Sequence, residues 1–198
     1  MVNAMHRLAF ATTLGLAAVL GCSVHAQTAK PQKPAAAAPQ SQAQAAPAVP
    51  TPTRLGAADS WVAYSSAEKG GQICYVVGQP AKTEPANIKR DPIHLLVTHN
   101  TADKTTNVIS FIAGYKFKDG SEAPLAVGDK SFDLFTKDDT AWARDPATDK
   151  AIVAAMLKGK QAVIKGSSAK GTATTDTYNL AGFSKVIEDI DKACKVKR

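Results

Sequence analysis

Between Trp142 and Cys194 the chain carries a closely punctuated run of elements, and this run most constrains the fold. Asp145 followed by Pro146 reads as a helix N-cap and first position. Ile152, Val153, Met156 and Leu157 supply one apolar face, and Gly159 stops the helix. Ala162–Lys165 and Thr172–Leu180 read as a closing pair of strands around Gly166-Ser-Ser168 and Gly171. In a last helix, Phe183, Val186, Ile187, Ile190 and Cys194 recur at three- and four-residue steps, so one face packs down.

The residues upstream supply more strands. Ser60–Ser65, Gln72–Val77, Ile93–His99 and Asn107–Tyr115 read as strands, separated by Lys69-Gly-Gly71, a longer proline-punctuated loop and a polar turn at 100–104. That loop runs from Pro80 to Pro92 and contains Lys89 and Arg90. Shorter strands follow at Pro124–Val127, Ser131–Thr136 and Thr140–Arg144. Many short strands with two helices, at about 146–158 and 183–194, predict a mainly β, antiparallel β-sandwich with added helices over residues 55–198.

The first 54 residues belong to neither layer. Residues 1–26 read as an export signal: Arg7 precedes an uncharged apolar run, and Val24-His-Ala26 presents small residues where a signal peptidase cuts. The apolar run is too short for a comfortable membrane span and no second one follows, so no transmembrane helix is expected in the mature chain. The alternative is a lipid anchor at Cys22, from the lipobox-like Val19-Leu-Gly-Cys22. Residues 27–54 are alanine, proline and glutamine with little to bury, and read as a disordered linker. The formal charge of +7 falls to +6 without Arg7 and to +3 for residues 55–198, where the signs are interspersed except at the Lys192–Arg198 tail. No RNP-like pattern of aromatic and basic residues is present, which argues against a nucleic-acid partner.

Beyond Cys22, the cysteines are Cys74 and Cys194, and in an exported chain their default state is one disulfide. A free buried thiol or a redox-active cysteine is the alternative, but no C-x-x-C motif supports redox work. His94 and His99 lie five residues apart on one strand and point to opposite faces, so they cannot share a metal. His94 could activate Cys74 only if that thiol were free. Gly166-Ser-Ser168 is not a hydrolase elbow, and Asp138, Asp139, Asp145 and Asp149 read as turn, cap and first-turn residues rather than acid–base or calcium groups. No enzyme, metal or cofactor site is expected.

These residues together resemble the invasion-associated locus B family of exported bacterial proteins, over about residues 57–194. The resemblance rests on Trp61, Cys74, the Met156-Leu-Lys-Gly159 helix end, Gly166-Ser-Ser168 with Gly171, and Tyr178-Asn-Leu-Ala-Gly-Phe183 leading to Cys194. It implies an immunoglobulin-like β-sandwich with added helices, a role in host-cell entry for some members, and no catalytic motif. Larger members carry further cysteines where Val62-Ala-Tyr64 and Phe135–Trp142 have none.

The expectation is a non-enzymatic binding module of a Gram-negative envelope, in the periplasm or associated with the outer membrane or surface, with an envelope or host protein or glycan as partner. A periplasmic maintenance or chaperone-like protein with no host role is the alternative. Lys89 and Arg90, in the longest irregular loop, are the expected contact residues, and replacing both with alanine is expected to spare stability.

Overall fold

The computed structural model describes residues 50–198, so the expected signal, most of the linker and Cys22 lie outside the described residues. Eleven strands and two helices follow in the order β1 (Thr53–Ala58), β2 (Trp61–Glu68), β3 (Gly71–Gly78), β4 (Lys82–Glu84), β5 (His94–Asn100), β6 (Thr105–Ile112), β7 (Glu122–Val127), β8 (Lys130–Lys137), β9 (Thr140–Trp142), α1 (Pro146–Met156), β10 (Gln161–Ser167), β11 (Ala173–Asn179) and α2 (Phe183–Cys194). All strands join one antiparallel sheet, ordered β1-β2-β3-β5-β6-β9-β8-β7-β10-β11-β4.

The two halves of this sheet double over on one another, which makes the sandwich. Trp61 of β2 meets Tyr178 of β11 at 6.1 Å between ring centroids, and its indole N–H donates to the Asn179 carbonyl at 2.8 Å. Phe183 at the head of α2 stands edge-on to the same indole at 4.9 Å. Burying large rings stabilises such a core by several kcal/mol, and aromatic contacts add about 0.5–1.5 kcal/mol each. Gly78 lies opposite Trp61 in the β2–β3 register, and any side chain there would run into the indole. Trp61, Tyr178 and Phe183, three of the residues that carry the resemblance, thus meet at one packing node.

Each helix buries the face its sequence marks out. In α1, Asp145 accepts from the Thr148 N–H at 2.9 Å, and Ile152, Val153 and Met156 enter the core. This helix ends at Met156, short of the expected 158, and the chain turns through Ala155 contacts before Gly159 packs against Val127 and Leu180. In α2, Phe183, Val186, Ile187, Ile190 and Cys194 are buried, and Cys194 is bonded to Cys74 of β3 across 120 residues.

Three expectations differ from the structure. A strand not expected, β1, precedes the Trp61 strand and pairs Thr53 and Arg54 with Ser65 and Tyr64. The 80–92 loop contains β4, whose Lys82–Glu84 pairs with β11. Tyr115 and Phe117 lie beyond β6 in the connection to β7, where Phe117 forms an isolated bridge to Ser168. No helix among the described residues is long and apolar enough to cross a membrane.

Candidate binding cleft

Three separated segments meet at one end of the sandwich. The connection after β6 crosses to the β10–β11 turn, where the Lys118 N–H donates to the Ser167 carbonyl at 2.9 Å and the Ala169 N–H to the Lys116 carbonyl at 2.8 Å. The β4–β5 loop joins them through the Asp91 N–H, which donates to the Gly114 carbonyl at 2.9 Å. They enclose a cleft of about 220 Å³ lined by Ile88, Lys89, Arg90, Tyr115, Lys116, Ser168, Ala169, Lys170, Thr172 and Thr174.

Its floor is fixed. The Arg90 guanidinium forms a two-point ion pair with Asp176, donating from Nη1 to Oδ2 at 3.1 Å and from Nη2 to Oδ1. Nη1 also donates to the Ala113 carbonyl at 3.3 Å, and the guanidinium lies 5.6 Å over the Tyr115 ring. Burial pushes the Asp176 carboxyl up, and the hydrogen bond and charge of Arg90 oppose that rise. Tyr115 Oη and Thr174 Oγ1 share a hydrogen bond of 2.6 Å. Gly166 makes room for this pair, since a Cβ there would meet the Tyr115 hydroxyl. Burial raises the Tyr115 pKa, against the lowering effect of the Thr174 bond and of Arg90.

The rim is cationic. Lys89, Lys116 and Lys170 are all exposed, and none is ion-paired among the described residues. With Asp176 already neutralised by Arg90, the lining offers positive charge and hydroxyls to a ligand. No histidine, cysteine or carboxylate lines it, and Ser168 Oγ accepts the Thr172 N–H at 3.1 Å. The geometry suits capture of an anion.

The two residues singled out in the sequence therefore have different tasks. Lys89 stands at the mouth. Arg90 has 5% of its side chain exposed and holds the floor, so the expectation that both can be replaced without loss of stability does not fit its position. Lys116, Lys170 and the hydroxyls were not readable as partners, because they come from segments far apart in the chain.

The remaining candidates are occupied in other ways. Cys74 and Cys194 form a disulfide, leaving His94 no thiol to activate. His99 is fully buried between two partners: Nδ1 accepts the Asn107 N–H at 3.0 Å, so Nε2 carries the proton toward Asp191 at 2.9 Å. Asp149 is buried, and its carboxylate accepts the Ile109 N–H at 2.8 Å, so this first-turn residue also fastens α1 to β6. Among the described residues no three His, Cys, Asp or Glu side chains converge on a metal position.

A family model described as invasion associated locus B (IalB) protein matches residues 61–191, and the chain belongs to that family. Membership indicates an exported bacterial envelope protein. No curated protein matches the chain.

Proposed function

We propose that this domain is a non-enzymatic binding module of the bacterial envelope that holds an acidic glycan at the Lys89–Lys116–Lys170 cleft. One observation carries the reading: three exposed lysines, without an ion-pair partner among the described residues, surround a hydroxyl-lined hollow, and the carboxylate behind Arg90 is already neutralised. Lysine ammonium groups attract a carboxylate, sulfate or phosphate, while Ser168, Thr172 and Thr174 match sugar hydroxyls. A hollow of about 220 Å³ admits a single ring rather than a long ligand.

The test uses the mature protein with a sulfated heparin oligosaccharide and its desulfated counterpart. Sulfated ligand is expected to bind in a salt-sensitive way, and Lys89→Ala with Lys170→Ala to weaken it at least about tenfold without lowering the melting temperature. Equal binding of both ligands, or an unaffected double variant, overturns the reading.

Where the cleft faces decides between a host-directed role and a maintenance role. A membrane-impermeant amine reagent applied to intact cells labels exposed lysines of a surface protein. A periplasmic protein is labelled only after the outer membrane is opened. The first result supports contact with host glycans, the second an envelope partner.

A further inference from the structure

The basic run Lys192–Arg198 is folded onto the domain. Lys195 takes a left-handed conformation (φ 56°) at the end of α2, and the Val196 N–H donates back to the Asp191 carbonyl at 2.9 Å. This turn seats Val196 against the core and leaves Lys195 and Lys197 exposed on either side of it. The Arg198 guanidinium donates to the Asp191 carboxylate at 2.6 Å and 3.1 Å. The Cys74–Cys194 disulfide ties the same helix end to β3. These lysines are therefore held in place at one end of the sandwich.

Two further segments bring lysines to them. Lys104 closes the β5–β6 turn, in which the Asn100 side chain accepts the Ala102 N–H at 2.9 Å. Lys104, Thr105, Thr106, Lys195 and Lys197 border one hollow, and no carboxylate lines it. Lys150 of α1 borders the next hollow, which shares Lys104 and Thr106. All four lysines are exposed, and none is ion-paired among the described residues. Asp191 is offset by Arg198. The exposed carboxylates nearby are Glu68, Asp103, Asp145 and Glu188. Asp103 accepts the Asn100 amide, Asp145 caps α1, and Glu68 and Glu188 stand beside Lys69 and Lys192.

The chain also enters the domain at this end. Thr53 opens β1 opposite Ser65, so residues 50–52 approach from the side of the β2–β3 turn. That turn packs on the β5–β6 turn, where the Thr101 N–H donates to the Gln72 carbonyl at 3.0 Å. The cleft of Lys89, Lys116 and Lys170 lies at the other end. It forms where β5 starts and β6 finishes, and the seven residues of β5 span about 20 Å.

We propose that the end carrying Lys104, Lys150, Lys195 and Lys197 rests on a membrane surface that bears anionic phospholipid, with the cleft pointing away from the bilayer. These lysines come from three segments and spread across the end of the domain, rather than converging as a socket for one small anion. The Thr101 hydroxyl, which also borders this hollow, is already bonded to Gln72. A bilayer presents its phosphates in a plane, so separated ammonium groups meet several of them at once. Entry of the chain on the same side is compatible with an upstream attachment to that membrane. Each lysine near such a surface strengthens binding about fivefold, so four give a weak, salt-sensitive association rather than insertion. The proposal is independent of what the cleft holds.

Co-sedimentation of the mature protein with phospholipid vesicles tests this. Binding is expected to vesicles of phosphatidylcholine with about one quarter phosphatidylglycerol at about 0.05 M salt, and to be lost at about 0.5 M. Phosphatidylcholine alone is expected to bind none. Lys104→Ala with Lys195→Ala and Lys197→Ala is expected to weaken binding at least about tenfold, while Lys104→Arg with Lys195→Arg and Lys197→Arg keeps it. Lys89→Ala with Lys170→Ala is expected to bind vesicles like the wild type, which separates this end from the cleft. Equal binding to neutral vesicles, or no binding by the wild type, overturns the proposal. So does a folded, disulfide-intact triple alanine variant that binds like the wild type, or loss of binding in the Lys89–Lys170 variant. Heparin binding that the three alanines weaken, without any vesicle binding, also overturns it and assigns this end to a free polyanion.

Discussion

Arg90 and Asp176 form an ion pair with 5% and 0% of their side chains exposed, joining the β4–β5 loop to β11 inside the sandwich. A pair this deep gains little over apolar replacements, yet breaking it strands a charge. Arg90→Met is therefore expected to destabilise the domain by about 3–5 kcal/mol, and Arg90→Met with Asp176→Leu to recover most of that loss. Urea unfolding of the two variants checks this. A single variant as stable as the wild type would show that the pair does not hold the loop.

Acid sensitivity is expected to centre on Asp191. Burial raises its carboxyl pKa, but hydrogen bonds from His99 and Arg198 and the charge of Arg198 outweigh burial and hold it below the usual value. A carboxylate depressed in the folded state stabilises above its unfolded pKa, about 3.9, and that stability is lost as pH falls through the lower folded value. Asp149 acts with the opposite sign, because burial raises its pKa. Comparing wild type with Asp191→Asn cancels the Asp149 effect. The stability difference between them is expected to be full near neutral pH and to shrink below about pH 4. A difference independent of pH would remove Asp191 as the titrating group.

Alternation made the central strands legible. Gln72–Val77 and Ile93–His99 show apolar residues at fixed spacing; the first emerges as β3 with one more residue at each end, the second as β5 shifted by one residue. In contrast, β1 is an edge strand with mostly exposed residues, and β4 is three residues between prolines, so neither has a periodic signal. The neighbours β3–β5, β7–β10 and β11–β4 depend on long-range register, which local pattern does not encode. The cleft was half-visible for the same reason. Lys89 and Arg90 are adjacent in sequence, whereas Lys116 and Lys170 join them only once the β6–β7 connection crosses to β10. Arg90 read as a surface residue because its partner, Asp176, lies 86 residues away in a threonine-rich strand.

The disulfide closes a loop of 120 residues and anchors the C-terminal end of α2 to β3. Loop closure of this length is expected to contribute about 2–5 kcal/mol, so Cys74→Ser with Cys194→Ser lowers the unfolding midpoint without changing the fold. Thiol reagent is expected to label the native wild type only after reduction. Labelling without a reductant would mean the bond is open in solution and Cys74 is a free thiol.

The hydroxyl of Tyr178 offers the sharpest test of the core. It is buried with no hydrogen-bond partner among the described residues, and burial, with Asp176 nearby, raises its pKa far above the ordinary phenol value. The ring itself is committed to Trp61 at 6.1 Å. An unsatisfied buried polar group costs about 1–3 kcal/mol, so removing it while keeping the ring is favourable. Tyr178→Phe is therefore expected to leave stability unchanged or raise it by up to about 2 kcal/mol, while Tyr178→Leu, which loses the ring, lowers it by about 1–3 kcal/mol. Denaturant unfolding with both variants separates the two contributions. If Tyr178→Phe is the less stable protein by 1 kcal/mol or more, on the order of one hydrogen bond, then the hydroxyl has a partner in solution and the node around Trp61 is polar at its centre.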